Sequence, residues 1–317
     1  MRSGAYDIER IRLASITGAE RSVLKTLAYF DIFHYPLTKE EIGQFLDTNM
    51  TAGNLNECLD SLLANEMIFL HNDFYSLQNN PFWGYRRKKG NEKAKSLLKK
   101  ANKIGKFLYR FPFVRAVAVS GSLSKNFADE KADIDFFIIT KANRLWIART
   151  LMHLFKKLTF LTRNQDMYCM NFYIGDGSLK IKDQNIFTAI EIKTLLPVCG
   201  IESIVRFNTA NQWTSEWLPN CDFRKLQENE PGMILFKRAG EWLLNNRFGD
   251  YIDSKLMEIT RRRWERKKEK GMQNKKGLVM GLVVGKHFAR SNPGSFQEKV
   301  LTIHKEKLNF FGINNNE

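Results

Sequence analysis

The chain has 317 residues, 43% of them apolar, with 24 Phe and 6 Trp, which excludes a disordered polymer and leaves room for two or three cores. Its net charge of +16 is concentrated: residues 86–110 hold eleven Lys/Arg against one Glu, residues 261–276 hold nine against two, and the remainder is close to neutral. No apolar run is long enough for a membrane span, no apolar leader opens the chain, and Cys58, Cys169, Cys199 and Cys221 lack metal-binding spacing, so a cytoplasmic protein with no membrane partner is expected.

From the N-terminus, Val23, Leu24, Leu27, Ala28 and Phe30 recur at helical spacing and predict a helix over 20–33. Thr38 with Glu41 forms a capping box that opens a second helix running to Leu46. Leu55, Leu59, Leu62 and Leu63 share one face of a third. "MIFLHNDFYSL" then reads as a β-hairpin with a three-residue loop, His71-Asn72-Asp73. Three helices and a hairpin over 19–80 resemble a winged-helix domain, a variant of the helix-turn-helix. Between Asp47 and Asp73, however, there is no Lys or Arg, and Asp47, Glu57, Asp60, Glu66 and Asp73 would repel phosphates. The expected role is a scaffold or a contact for a protein partner, in preference to DNA reading.

Residues 81–112 predict a basic helical connector that opens with Phe82, Trp83 and Tyr85 and stops at Pro112. Strands are expected at 114–120, 134–140 and 167–174, with helices at 143–161 and at 187–197, the latter stopped by Pro197. The region 201–317 reads as basic and mostly helical, with an Asn-Pro-Gly turn joining two helices near 287–296. The fold class is therefore α+β and multi-domain: an N-terminal domain at 19–80, the connector at 81–112, a mixed sheet with helices at 113–200 and a helical C-terminal region at 201–317. The basic segments 86–110 and 261–276 suit a polyanion such as RNA, a protein interface, or plain solvated helix faces.

The chemistry concentrates in 117–140, "VAVSGSLSKNFADEKADIDFFIIT". The first strand ends at Gly121-Ser122, where glycine permits close approach of a ligand. Exposed N–H groups with the hydroxyls of Ser122 and Ser124 suit phosphate there. Lys125 either touches that phosphate or is a surface lysine. Asp133 and Asp135 stand at i and i+2 and project from one side of an extended chain. Such a pair repels unless a cation lies between, and a hard dication, Mg²⁺ or Mn²⁺, takes oxygen ligands while leaving positions for substrate phosphates. Arg144 and Arg149, on the next helix, face either the same phosphates or solvent.

Gly-Ser, ten residues, then Asp-apolar-Asp-apolar resembles the signature of the nucleotidyltransferase superfamily related to DNA polymerase beta. The resemblance covers about 113–200. It implies that Gly121 and Ser122 contact the phosphates of an NTP and that Asp133 and Asp135 bind metal. It further implies transfer of a nucleoside monophosphate to an acceptor hydroxyl. That family usually carries a third carboxylate on a later strand, and here the corresponding polar residue is Asn171, which neither takes a proton nor ligates a hard cation well. Glu191, or Asp166, is the substitute within reach. Two expectations stand open: an enzyme whose third acid is Glu191, or a degenerate nucleotide- or nucleic-acid-binding regulator that works through its N-terminal domain.

Overall fold

The computed structural model describes residues 16–130, 132–158, 169–225, 235–273 and 277–313. The N-terminal part forms helices α1 (Gly18–Asp31), α2 (Lys39–Phe45) and α3 (Ala52–Ala64), then strands β1 (Phe69–His71) and β2 (Phe74–Ser76). Each helix starts where a threonine can satisfy free N–H groups. Thr17 with Glu20 and Thr38 with Glu41 are complete capping boxes, and Thr51 accepts from the Asn54 amide. The hairpin loop is two residues, not three: His71 pairs with Phe74, and Asn72 and Asp73 adopt φ of 51° and 68°. Two positive φ values in succession match the twist of the flanking strands, and Asn and Asp tolerate them best after glycine.

Helix α4 (Pro81–Leu108) carries the first basic segment across the molecule. Part of its charge is already used. Arg87 is buried, pairs with Glu41 at 2.6 Å and lies over the Tyr35 ring. Arg86 pairs with Asp129 and Lys89 with Glu130.

Strand β3 (Val114–Ser120) runs into a single turn of helix, α5 (Gly121–Ser124), and β4 (Asp135–Thr140) returns beside it. Helix α6 (Leu145–Leu158), β5 (Cys169–Gly175), α7 (Ile186–Lys193) and β6 (Leu196–Cys199) follow. The helix expected to reach Pro197 thus ends four residues earlier. Pro197 instead sits in β6, opposite Ala118, at the edge of the sheet where a missing N–H is tolerated. Helices α8 (Ile201–Ala210), α9 (Thr214–Trp217), α10 (Leu235–Leu244) and α11 (Arg247–Glu269) lead to β7 (Leu282–Val284), β8 (Phe288–Ser291) and α12 (Phe296–Phe310). The last two strands correct the helical expectation for this region, since the Asn-Pro-Gly turn joins a strand to a helix.

All strands but the hairpin form one sheet of order β6-β3-β4-β5-β8-β7, parallel between β4 and β5 and antiparallel elsewhere. Both faces are covered, so β4 reads "FFII" without polar alternation. Phe136 and Ile138 pack with Trp146 and Met152 of α6 and Ala101 of α4. Phe137 and Ile139 join the opposite core, with Ile190 of α7, Phe207 of α8, Leu24 and Leu27 of α1, and Val300 and Leu308 of α12. Among the described residues no helix is long and apolar enough to cross a membrane.

Candidate active site

The antiparallel pairing of β3 with β4 puts Ser120 opposite Asp135, so the turn after β3 meets the first carboxylate of β4. Gly121 has φ +70°, and a Cβ built there would lie 2.7 Å from Asp135 Oδ2. Only glycine meets both demands, the left-handed backbone and the close approach. Ser122 is exposed at the tip of this turn. Ser124 is fully buried and donates to the Gly121 carbonyl at 2.8 Å. Lys125 Nζ donates to the same carbonyl at 3.1 Å and to Glu191 Oε1 at 2.7 Å. Ser124 and Lys125 therefore brace the turn from inside, and Glu191 on α7 is tied to it.

Asp133 is half-buried and precedes β4 by two residues. In β5 the register slips: Met170 lies opposite Phe136 and Phe172 opposite Phe137, which leaves Asn171 as the extra residue of a bulge. Its Nδ2 donates to Asp135 Oδ1, and its Oδ1 accepts from the Cys169 thiol at 3.1 Å. Burial pushes the Cys169 thiol up to about 12, with Asp135 reinforcing the shift and Asp133 adding to it. The thiol thus stays a neutral donor, and it feels both aspartates.

A cavity of about 220 Å³ opens beside this cluster. Gly121, Asp135, Asn171 and Glu191 give it a polar side, and Phe137, Phe172 and Phe187 an apolar one. Arg290 of β8 and Gln297 of α12 close the far wall. Arg290 pairs with Asp183 at 2.9 Å and donates to Gln297 at 3.0 Å, while its Nε is buried without a partner. Of the residues singled out in the sequence, Gly121, Asp135 and Glu191 line this cavity; Ser122, Ser124, Lys125 and Asp133 do not. Arg144 and Arg149 do not line it either. Arg144 is bound to Asp250 and to the Leu244 and Asn246 carbonyls, and Arg149 lies buried over Trp146 and Tyr173. Asp166 lies outside the described residues. Arg290 and Gln297 went unnoticed in the sequence because they belong to a segment that carries no motif and is brought to the site only by the sheet.

Among the described residues no three His, Cys, Asp or Glu converge as a metal-binding group. Asp133 and Asp135 supply two carboxylates, and Asn171 stands on the neighbouring strand. Two carboxylates are what a hard dication that keeps positions for water and phosphate oxygens would use, whereas Asn171 presents its Nδ2 to Asp135 and its Oδ1 to Cys169 and adds no ligand. This set does not supply a third anionic ligand. Comparison with curated proteins and with solved structures found no match. The family model of the nucleotidyltransferase domain does match, over residues 98–198, about a third of the chain, and that stretch contains β3, the Gly121 turn, β4, β5 and α7.

Proposed function

We propose that the protein transfers a nucleoside monophosphate from an NTP to an acceptor hydroxyl and releases pyrophosphate. One observation carries this reading: inside the matched stretch, a glycine turn that excludes any side chain abuts the Asp135 carboxylate at a cavity. The turn's N–H groups and the exposed Ser122 hydroxyl are the groups offered to the triphosphate. Asp133 and Asp135 would hold Mg²⁺ or Mn²⁺, which when bound neutralises phosphate charge. The acceptor oxygen attacks the α-phosphorus. A new O–P bond forms as the bond to the bridging oxygen breaks, and pyrophosphate leaves with that electron pair. Glu191, the other carboxylate on the cavity wall, is our candidate for the acceptor's proton, and Lys125 holds it in place.

The same proposal takes 19–80 as a winged-helix-like domain, 81–112 as a connector, 113–200 as the catalytic core and 201–317 as a C-terminal region. The bridge between Leu37 and Tyr75 adds a third extended segment to the hairpin, which supports the first assignment. Its acidic stretch favours a protein partner. A phosphate-rich acceptor such as RNA suits the exposed lysines of α4. The second basic segment, described to residue 273, offers further exposed cations on α11. Four free thiols fit a reducing, cytoplasmic setting.

A second reading, a regulator that binds nucleotide without turnover, is favoured by Asn171, which stands where the third acid is expected and already bonds Asp135. Thermal shifts with ATP, GTP, CTP and UTP, with and without Mg²⁺, on wild type and Asp135→Asn, separate the two when combined with pyrophosphate release. A metal-dependent shift lost in the variant, with pyrophosphate release, supports transfer. The same shift without release supports the regulator. No shift with any NTP at millimolar concentration overturns both.

A further inference from the structure

Helix α10 is built inside out. Two of its charged residues point inward: Lys237 is 3% exposed and donates to the Tyr109 and Val114 carbonyls, and Glu241 pairs with Arg115 and accepts from the Phe113 amide. Its outward side carries bulky apolar residues, flanked by the exposed Arg238. Leu235 is 82% exposed and Trp242 83%, with Phe236 and Leu243 also largely in water. These four sit at i, i+1, i+7 and i+8, on one side of a helix. A surface helix normally turns that side toward the core. The inward bonds of the buried Lys237 and the partly buried Glu241 hold the helix in this orientation.

The next helix continues the theme. On α11, Phe248, Tyr251, Lys255, Ile259, Arg262 and Arg266 fall on one stripe, at intervals of three and four residues. The stripe is apolar at its start, with Phe248, Tyr251 and Ile259 exposed, and cationic at its end. At Ile259 it meets an open depression lined by Arg262, Arg263, Arg266, Lys267 and Lys270 and by no acid. Burial, with Arg263 and Lys157 nearby, holds the Lys267 amine below its ordinary value, so these cations crowd one another.

We propose that the outer face of α10 and α11 docks on an anionic lipid bilayer, with Leu235, Phe236, Trp242, Leu243 and Phe248 entering the headgroup–acyl boundary and the cations of 262–270 meeting lipid phosphates. Bulky aliphatic and aromatic side chains beside a strongly basic track, in which Arg262 is paired with Glu258 while Arg263, Arg266, Lys267 and Lys270 line the depression, match an interfacial helix pair, and an anionic membrane answers both halves at once. A second copy of this chain does not, because each copy brings a net charge of +16 and its own crowded cations to the contact. Nucleic acid answers the cations and leaves Leu235, Leu243 and Ile259 in water. The sequence-level expectation of no membrane partner rested on the lack of a spanning segment, and a helix lying in the interface needs none.

The test is co-sedimentation of the full chain with vesicles of phosphatidylcholine alone and of phosphatidylcholine with 30 mol% phosphatidylglycerol. The variants are Trp242→Ser/Leu243→Ser and Arg263→Glu/Arg266→Glu, each first checked for an unchanged thermal midpoint. The expected result is retention by the anionic vesicles only. That retention weakens with added salt and falls roughly tenfold or more in each double variant. A wild type that stays in the supernatant overturns the proposal. So does an apolar double variant that binds as well as wild type, or retention by single-stranded RNA with none by vesicles. None of these outcomes bears on NTP binding, which the thermal-shift panel reads separately.

Discussion

Gly121 and Asn171 set what the site can do. At Gly121, alanine meets a left-handed φ that costs about 1–2 kcal/mol in any L residue, and its methyl meets Asp135 Oδ2 as well. Gly121→Ala is therefore expected to lower the thermal midpoint by several degrees and to abolish any NTP-induced shift; an unchanged shift would remove the turn from phosphate binding. Asn171 matters in the opposite sense. Asn171→Asp exchanges a donor to Asp135 for a second negative charge and should cost about 1–3 kcal/mol without metal. Repulsion raises the folded-state pKa of that carboxylate pair above its unfolded value. The lost stability should therefore return as pH falls, and return at neutral pH when Mg²⁺ is added. Chemical denaturation at pH 5 and pH 7.5, with and without Mg²⁺, measures both effects. A variant indifferent to metal would count against a dication at Asp135.

Two elements show how histidines tie helices to the body of the protein. His304 of α12 bonds the Lys25 carbonyl of α1 and packs on Tyr29, and burial holds its pKa below the ordinary value. His153 of α6 is held well below it by burial, with Arg149, Lys156 and Lys157 adding to the effect, and its Nε2 is buried without a partner. A folded pKa beneath the unfolded one means the fold prefers the neutral ring. Stability is complete above about pH 6.5 and is lost as pH falls through the lower folded values. The thermal midpoint should thus drop between pH 7 and pH 5. In His153→Phe the drop should be shallower, and stability at pH 7 equal or higher by about 1 kcal/mol, because an orphaned buried nitrogen is removed. A pH profile identical to wild type would exclude His153 from the acid response.

For the whole molecule, the decisive feature is one apolar cluster that runs from α1, α2 and α3 across one face of the sheet to α7, α8 and α12. Lys307–Asp31 at 2.6 Å reinforces the junction of α12 with α1, and Arg87–Glu41 ties α2 to α4. The N-terminal helices are therefore expected to unfold with the sheet. Leu308→Ala, far from them in sequence, should cost about 2–4 kcal/mol and still give a single transition by both circular dichroism and tryptophan fluorescence. An early, separate loss of helix signal would show that the N-terminal unit stands alone.

Local signals carried much of this protein. Apolar spacing announced α1 and α3, the Thr38 capping box announced α2, apolar runs announced β3, β4 and β5, and Gly121-Ser122 with Asp133 and Asp135 pointed to the candidate site, because each depends on chemistry within a few residues. Pro197 misled, since its missing N–H stops a helix and equally suits an edge strand, and only the pairing with Ala118 decides between them. Strand β8 was invisible because the strand that brings it into the sheet, β5, lies more than a hundred residues away, and β7 joins the sheet only through β8. Arg290 reached the cavity by that route. The direction of α10 was beyond any periodicity. A moment in the sequence says that a helix has two faces, and only the carbonyls of Tyr109 and Val114, waiting for Lys237, decided which face would be left in water.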